Sequence, residues 1–138
     1  MFGQLAQMKF RSLIPTSFAL VLISAANVCA HGMGPMILKD TVGSLIISNR
    51  SDKPIRVRLK AYPVNEIANK EGPSSVPYSE EMQNKLLKLS KDLFRVRSMG
   101  FKSVKYRILP TTNSFPFYIC SFSIQGSFST RVCSLWEG

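Results

Sequence analysis

The sequence predicts an all-β fold, an antiparallel sandwich of about seven strands. Three observations carry this. From residue 36 onward, apolar and polar residues alternate with a period close to two, the repeat of a half-buried strand. The alternating runs are short, and clusters of Gly, Pro, Asn, Asp and Ser separate them. No long stretch keeps a helical period. Two sheets patterned in this way can bury their apolar faces against each other.

The 138-residue chain opens on a segment outside this pattern. MFGQLAQMKFR carries Lys9 and Arg11 and no acid, and SLIPTSFALVLISAANV is apolar and small. Val28-Cys29-Ala30 then places small residues before a cut after Ala30. These are the basic, apolar and cleavage regions of a secretory signal peptide. A membrane anchor is the alternative, but Pro15, Ser17 and Ser24 interrupt a short apolar run. Residues 1–30 are read as the signal and 31–138 as one domain. Cys29 lacks the context of a lipoprotein site, so no lipidation is expected.

The elements follow in order. Met36, Leu38 and the nearby Lys39 form a short first strand, read as an edge. Leu45–Ser48 is apolar on both faces. Asn49-Arg50-Ser51-Asp52-Lys53-Pro54 is a turn cluster, with Asx chemistry and a proline-fixed φ. Asn49-Arg50-Ser51 also fits a glycosylation sequon. Ile55–Tyr62 alternates cleanly: Ile55, Val57, Leu59 and Ala61 on one face, Arg56, Arg58, Lys60 and Tyr62 on the other. Pro63–Asn84 is a long connection rich in Pro, Gly and Ser. Glu80–Leu89 admits a short helix, with acids before lysines, but a closing strand over Leu86–Leu89 is favoured. Leu93–Val96 is another strand, and Ser98-Met99-Gly100 turns the chain. Val104, Tyr106 and Ile108 alternate with Lys105 and Arg107. Pro116–Ile124 places Phe117, Ile119, Ser121 and Ser123 opposite Tyr118, Cys120, Phe122 and Ile124. After Gln125-Gly126-Ser127, Phe128–Leu135 is the last strand.

A domain of this size buries one modest core, and small exported domains often add a covalent staple. Two cysteines remain after the signal, Cys120 and Cys133. They lie far enough apart for two strands and a turn, and export permits a bond. Buried free thiols are the alternative; the disulfide is favoured.

The formal net charge is +10, and the sequence pI is near 9.9. Arg56, Arg58, Lys60, Lys102, Lys105 and Arg107 alternate with apolar residues on two strands. A solvated sheet face that discourages edge aggregation accounts for this pattern. An anionic membrane surface, a glycan or a protein ligand would also suit it, whereas export disfavours nucleic acid. No catalytic constellation is legible: His31 is the only histidine, no metal-ligand spacing occurs, and Glu80 and Glu81 are loop neighbours. The chain is therefore read as a non-enzyme, without metal or cofactor.

The order of these pieces resembles a known family. "LIISNRSDKPIRVRLKAY" is similar to the second and third strands in the first domain of periplasmic pilus-assembly chaperones of the PapD-like family. "LLKLSKDLFRVRSMGFKSVKYRIL" is similar to the following stretch, with Gly100 as the turn glycine. "FPFYICSFSIQG" looks like the family's aromatic-rich strand. The resemblance implies an immunoglobulin-like sandwich in the periplasm that binds pilin-like subunits by β-strand addition, with an outer-membrane usher as a further partner. It implies Phe128, Thr130 and Val132 as donor-strand side chains, with Cys133 and Leu135 as the alternative face. Lys39 and Arg131 are the nearest candidates for anchoring a subunit's terminal carboxylate. The chain departs from the family in four ways. The Glu-Arg before the aromatic strand is missing, the 125–127 loop is short, and a Cys120–Cys133 bond would tie the last two strands together. Family members also carry a second domain. The alternative function is an exported binding or structural module whose basic face contacts an anionic surface or glycan, with peripheral membrane contact.

Overall fold

The computed structural model describes residues 31–65, 72–110, 115–125 and 128–138, without the side chains of Gln125 and Phe128. Two sheets face each other. Sheet A contains β1 (His31–Gly34), β3 (Val42–Asn49), β7 (Phe101–Ile108) and β5 (Leu87–Leu89), in that spatial order. Sheet B contains β2 (Ile37–Leu38), β9 (Phe128–Trp136), β8 (Phe117–Gln125), β4 (Ile55–Tyr62) and β6 (Leu93–Val96). All strand pairs are antiparallel except β2 with β9, which is parallel. The described residues thus hold nine strands rather than about seven. β1 is the strand with no counterpart among those named from the sequence.

Alternation builds the core. β3 turns Leu45 and Ile47 inward, and β7 turns Val104, Tyr106 and Ile108 inward. From the other sheet, β4 supplies Ile55, Val57, Leu59 and Ala61, and β8 supplies Phe117 and Ile119. All of these are buried. Each large apolar side chain so placed stabilises the fold by about 1.5–3 kcal/mol. Gly43 lies in register with Tyr106, whose ring covers it: a Cβ there would come within 2.7 Å of the phenol oxygen. That oxygen donates to the Asp40 carbonyl at 3.1 Å.

The turn between β3 and β4 is built on Asn49, which is 1% exposed. Its Nδ2 donates to the carbonyls of Lys53 (2.8 Å), Val96 (3.1 Å) and Arg97 (3.1 Å). Its Oδ1 accepts from the Ser51 backbone N–H (3.0 Å) and hydroxyl (2.6 Å). One side chain therefore joins its own turn to the end of β6. A buried amide committed in this way cannot carry a glycan in the folded protein, so the sequon match is coincidental.

The favoured strand over Leu86–Leu89 is three residues long, and a short helix, α1 (Glu80–Leu86), precedes it. Ser79 caps α1 by accepting the Met82 N–H at 3.2 Å, and Glu80 and Glu81 occupy the first turn, where they complement the helix dipole. Leu86 is buried and ties this short helix to the core. That packing decides between helix and strand where the sequence admitted both.

A candidate partner-binding edge on the last strand

β9 pairs with β8 along its whole length, from Phe128 opposite Gln125 to Trp136 opposite Phe117. On its other side β1 runs close by, with His31 touching Thr130 and the Pro35 carbonyl accepting from the Ser134 hydroxyl, but backbone pairing occurs only at the end. There β2 runs alongside Leu135 and Trp136, and the Leu135 N–H donates to the Met36 carbonyl at 2.8 Å. In an antiparallel pair, successive residues aim their backbone groups alternately at the partner and away from it. Leu135 aims away from β8, so Cys133, Arg131 and Ser129 do as well. Among the described residues, none of these three has a backbone partner on that side. Ser129–Cys133 is therefore a strand edge whose outward N–H and C=O groups, at Ser129, Arg131 and Cys133, have no backbone partner among the described residues, with β1 close beside it.

The disulfide is formed. Cys120 and Cys133 stand opposite each other in the β8–β9 register, with Cα atoms 4.0 Å apart. This is the close spacing of a non-hydrogen-bonded pair, which agrees with the direction of Cys133's backbone groups. The bond fastens β9 to β8 and leaves the opposite edge open. The tie expected from the sequence therefore does not obstruct that edge.

The candidate side chains divide between the two faces of β9. Val132 points inward and is half-buried against the core. Thr130, on the same face, is exposed, and its hydroxyl meets His31 Nδ1 at 3.0 Å. Phe128 shares this face by register, but its side chain lies outside the described part. Arg131 points outward: its guanidinium lies 4.9 Å from the centre of the Tyr62 ring and donates to the Ser74 carbonyl at 2.8 Å. Lys39 is exposed just beyond β2, past the level of Trp136. Arg131 lies five residues back along β9, about 17 Å at strand rise. The structure does not bring these two cations together.

His31 has a role that the sequence reading missed. It pairs in β1 opposite Asn49 in sheet A, and its ring reaches across to sheet B. Nε2 meets the Ser121 hydroxyl at 2.7 Å, and Nδ1 meets Thr130. Burial holds its pKa below the usual histidine value. The signal in the sequence was Ser121 and Ser123, polar residues on the same face as Phe117 and Ile119.

The basic residues do not form one surface. Arg56, Arg58 and Lys60 project from the outer face of sheet B, whereas Lys105 and Arg107 project from the outer face of sheet A. Lys102 is exposed near the turn end of β7.

Two facing sheets, with a parallel contact between the first edge strand and the last strand, define an immunoglobulin-type sandwich. Among solved structures, the chain is similar to chaperones of this fold. It matches the class 5 fimbriae chaperone CfaA with a TM-score of 0.56 and 9% identity, covering 76% of this chain and 54% of that one. It matches a chain from the Salmonella enterica SafA pilin in complex with the SafB chaperone with a TM-score of 0.54 and 15% identity, covering 78% and 53%. It matches the E. coli chaperone DraB with a TM-score of 0.51 and 13% identity, covering 77% and 52%. The protein thus has the PapD-like immunoglobulin fold of fimbrial chaperones. It spans about half the length of these chaperone structures. No family model and no curated protein matches the sequence.

Proposed function

We propose that this protein is a periplasmic, chaperone-like factor that captures pilus or fimbrial subunits by strand addition along β9 and assists their assembly. The open edge at Ser129–Cys133 carries this reading. An unpaired edge is a template for another strand: main-chain hydrogen bonds supply binding, and alternate side chains supply specificity. Phe128, Thr130 and Val132 are the side chains offered to the subunit. Lys39 and Arg131 are candidate anchors for a subunit carboxylate, each acting alone given their separation. The fold shared with structures of fimbrial chaperones, one of them in complex with a pilin, supports the same reading. An outer-membrane usher is the expected next partner, and residues 1–30 are the expected export signal. The activity needs no catalytic group, metal or cofactor.

The test is co-purification of the exported protein with fimbrial subunits, comparing wild type with Val132→Asp. A carboxylate at this half-buried donor position is expected to abolish capture. Undiminished capture by a folded variant would overturn the donor-strand assignment.

A further inference from the structure

Strand addition at β9 engages the outer face of sheet B at most through Arg131 and leaves its β4, β6 and β8 portion unused. Arg56, Arg58 and Lys60 project from it at two-residue intervals, about 7 Å apart. Across the ladders, Arg56 lies opposite Ile124 on one side and Arg95 on the other, and Arg58 lies opposite Phe122 and Leu93. A cationic row thus runs beside an apolar one, along a shallow groove of about 520 Å³.

Three observations set this face apart. First, Ile124 is 62% exposed, Leu93 46% and Phe122 36%, while Ser121 and Ser123 take the buried positions on β8. The strand turns its apolar residues outward and its serines inward at this end. Second, Arg56 and Arg95 are direct cross-strand partners, an arrangement of like charges that costs stability unless an anion offsets it. Third, among the described residues no carboxylate lies within ion-pair distance of Arg56, Arg58, Lys60 or Arg95.

We propose that this face docks on an anionic phospholipid surface. The sheet holds both rows in one plane. A bilayer boundary satisfies both rows at once: headgroup phosphates meet the arginines, and Phe122, Ile124 and Leu93 reach toward the acyl region. An acidic protein segment would neutralise the cations but would not need the exposed apolar row. Lys105 and Arg107 face the opposite way, so docking is oriented, and the open edge of β9 lies at the rim of the docked sheet. The inference does not depend on strand addition.

The test is flotation of the full chain with vesicles of phosphatidylcholine alone and with about one-third phosphatidylglycerol, at low and high salt. Matched double variants remove equal charge from the two faces: R56Q/R58Q from sheet B and K105Q/R107Q from sheet A. All share residues 1–30, so any contribution from that segment cancels in the comparison. The expected result is binding that needs the anionic lipid and weakens in high salt. R56Q/R58Q should lose about thirtyfold in affinity, and K105Q/R107Q should stay within a few-fold of wild type. F122S/I124S, at exposed positions, should also weaken binding. Equal losses in the two charge doubles, wild-type binding by R56Q/R58Q, or binding indifferent to anionic lipid would each overturn the proposal.

Discussion

Replacing Asn49 by alanine tests the turn on which the fold's registration depends. The substitution removes five hydrogen bonds at once, but they are not equal in cost. The carbonyls of Lys53 and Arg97 lie in part-buried surroundings, where water can replace the lost donor. The contacts with the Val96 carbonyl and the Ser51 N–H are buried, where water cannot replace the lost amide. Each such group costs about 1–3 kcal/mol. For the two groups together the expected loss is therefore about 2–6 kcal/mol, a large fraction of the stability of a domain this size. Urea unfolding of the oxidised protein, followed by circular dichroism, measures it as a lowered midpoint with an unchanged slope. Asn49→Asp keeps the shape and the acceptor but loses the donors, and it should be comparably destabilising. A loss below about 1 kcal/mol for alanine would show that Asn49 does not organise the turn, and the reasoning would fail.

Three further predictions follow from the same structure. Replacing Cys120 and Cys133 by serine should lower stability by about 2–3 kcal/mol, the range for a short closed loop, with wild type in reductant showing the same drop in urea midpoint. His31 is held below its usual pKa by burial, so the unfolded chain takes up a proton more readily. The stability it contributes is present above pH 6.5 and is lost as pH falls, and His31→Gln should flatten this part of the stability–pH curve. Phe117→Ala empties a fully buried site between the sheets and should cost about 3–5 kcal/mol by the same denaturation assay.

Much of the fold was legible because the period-two signal is strong where one face is buried. Ile55–Tyr62 and Leu93–Val96 coincide with β4 and β6, and the short first strand is indeed an edge. The misses have physical causes. β1 reads HGMG, with no alternation to detect. It forms because glycine lets it lie close to β3: a Cβ on Gly32 would meet the Ser48 hydroxyl at 2.7 Å. Helix α1 is hard to read because about two turns carry little intrinsic signal, and the buried Leu86 anchors it only in three dimensions. The cations looked like one surface because alternation shows which residues share a strand face. It does not show which sheet the strand joins. The open edge of β9 was nameable only through the family resemblance, since edge status depends on pairing across the whole sandwich. The exposed row of Phe122 and Ile124 was hidden because alternation leaves open which set faces inward.

Main-chain strand addition at Ser129–Cys133 is tested most directly by proline at Arg131. The Arg131 N–H points away from β8, so Arg131→Pro removes an edge donor and spares the β8–β9 ladder. Arg131→Ala removes the same side chain and keeps the N–H. Capture of a fimbrial subunit is predicted to survive in Arg131→Ala, reduced at most by the loss of one cation, and to fail in a folded Arg131→Pro. Capture by Arg131→Pro equal to that by Arg131→Ala would contradict main-chain strand addition at this edge.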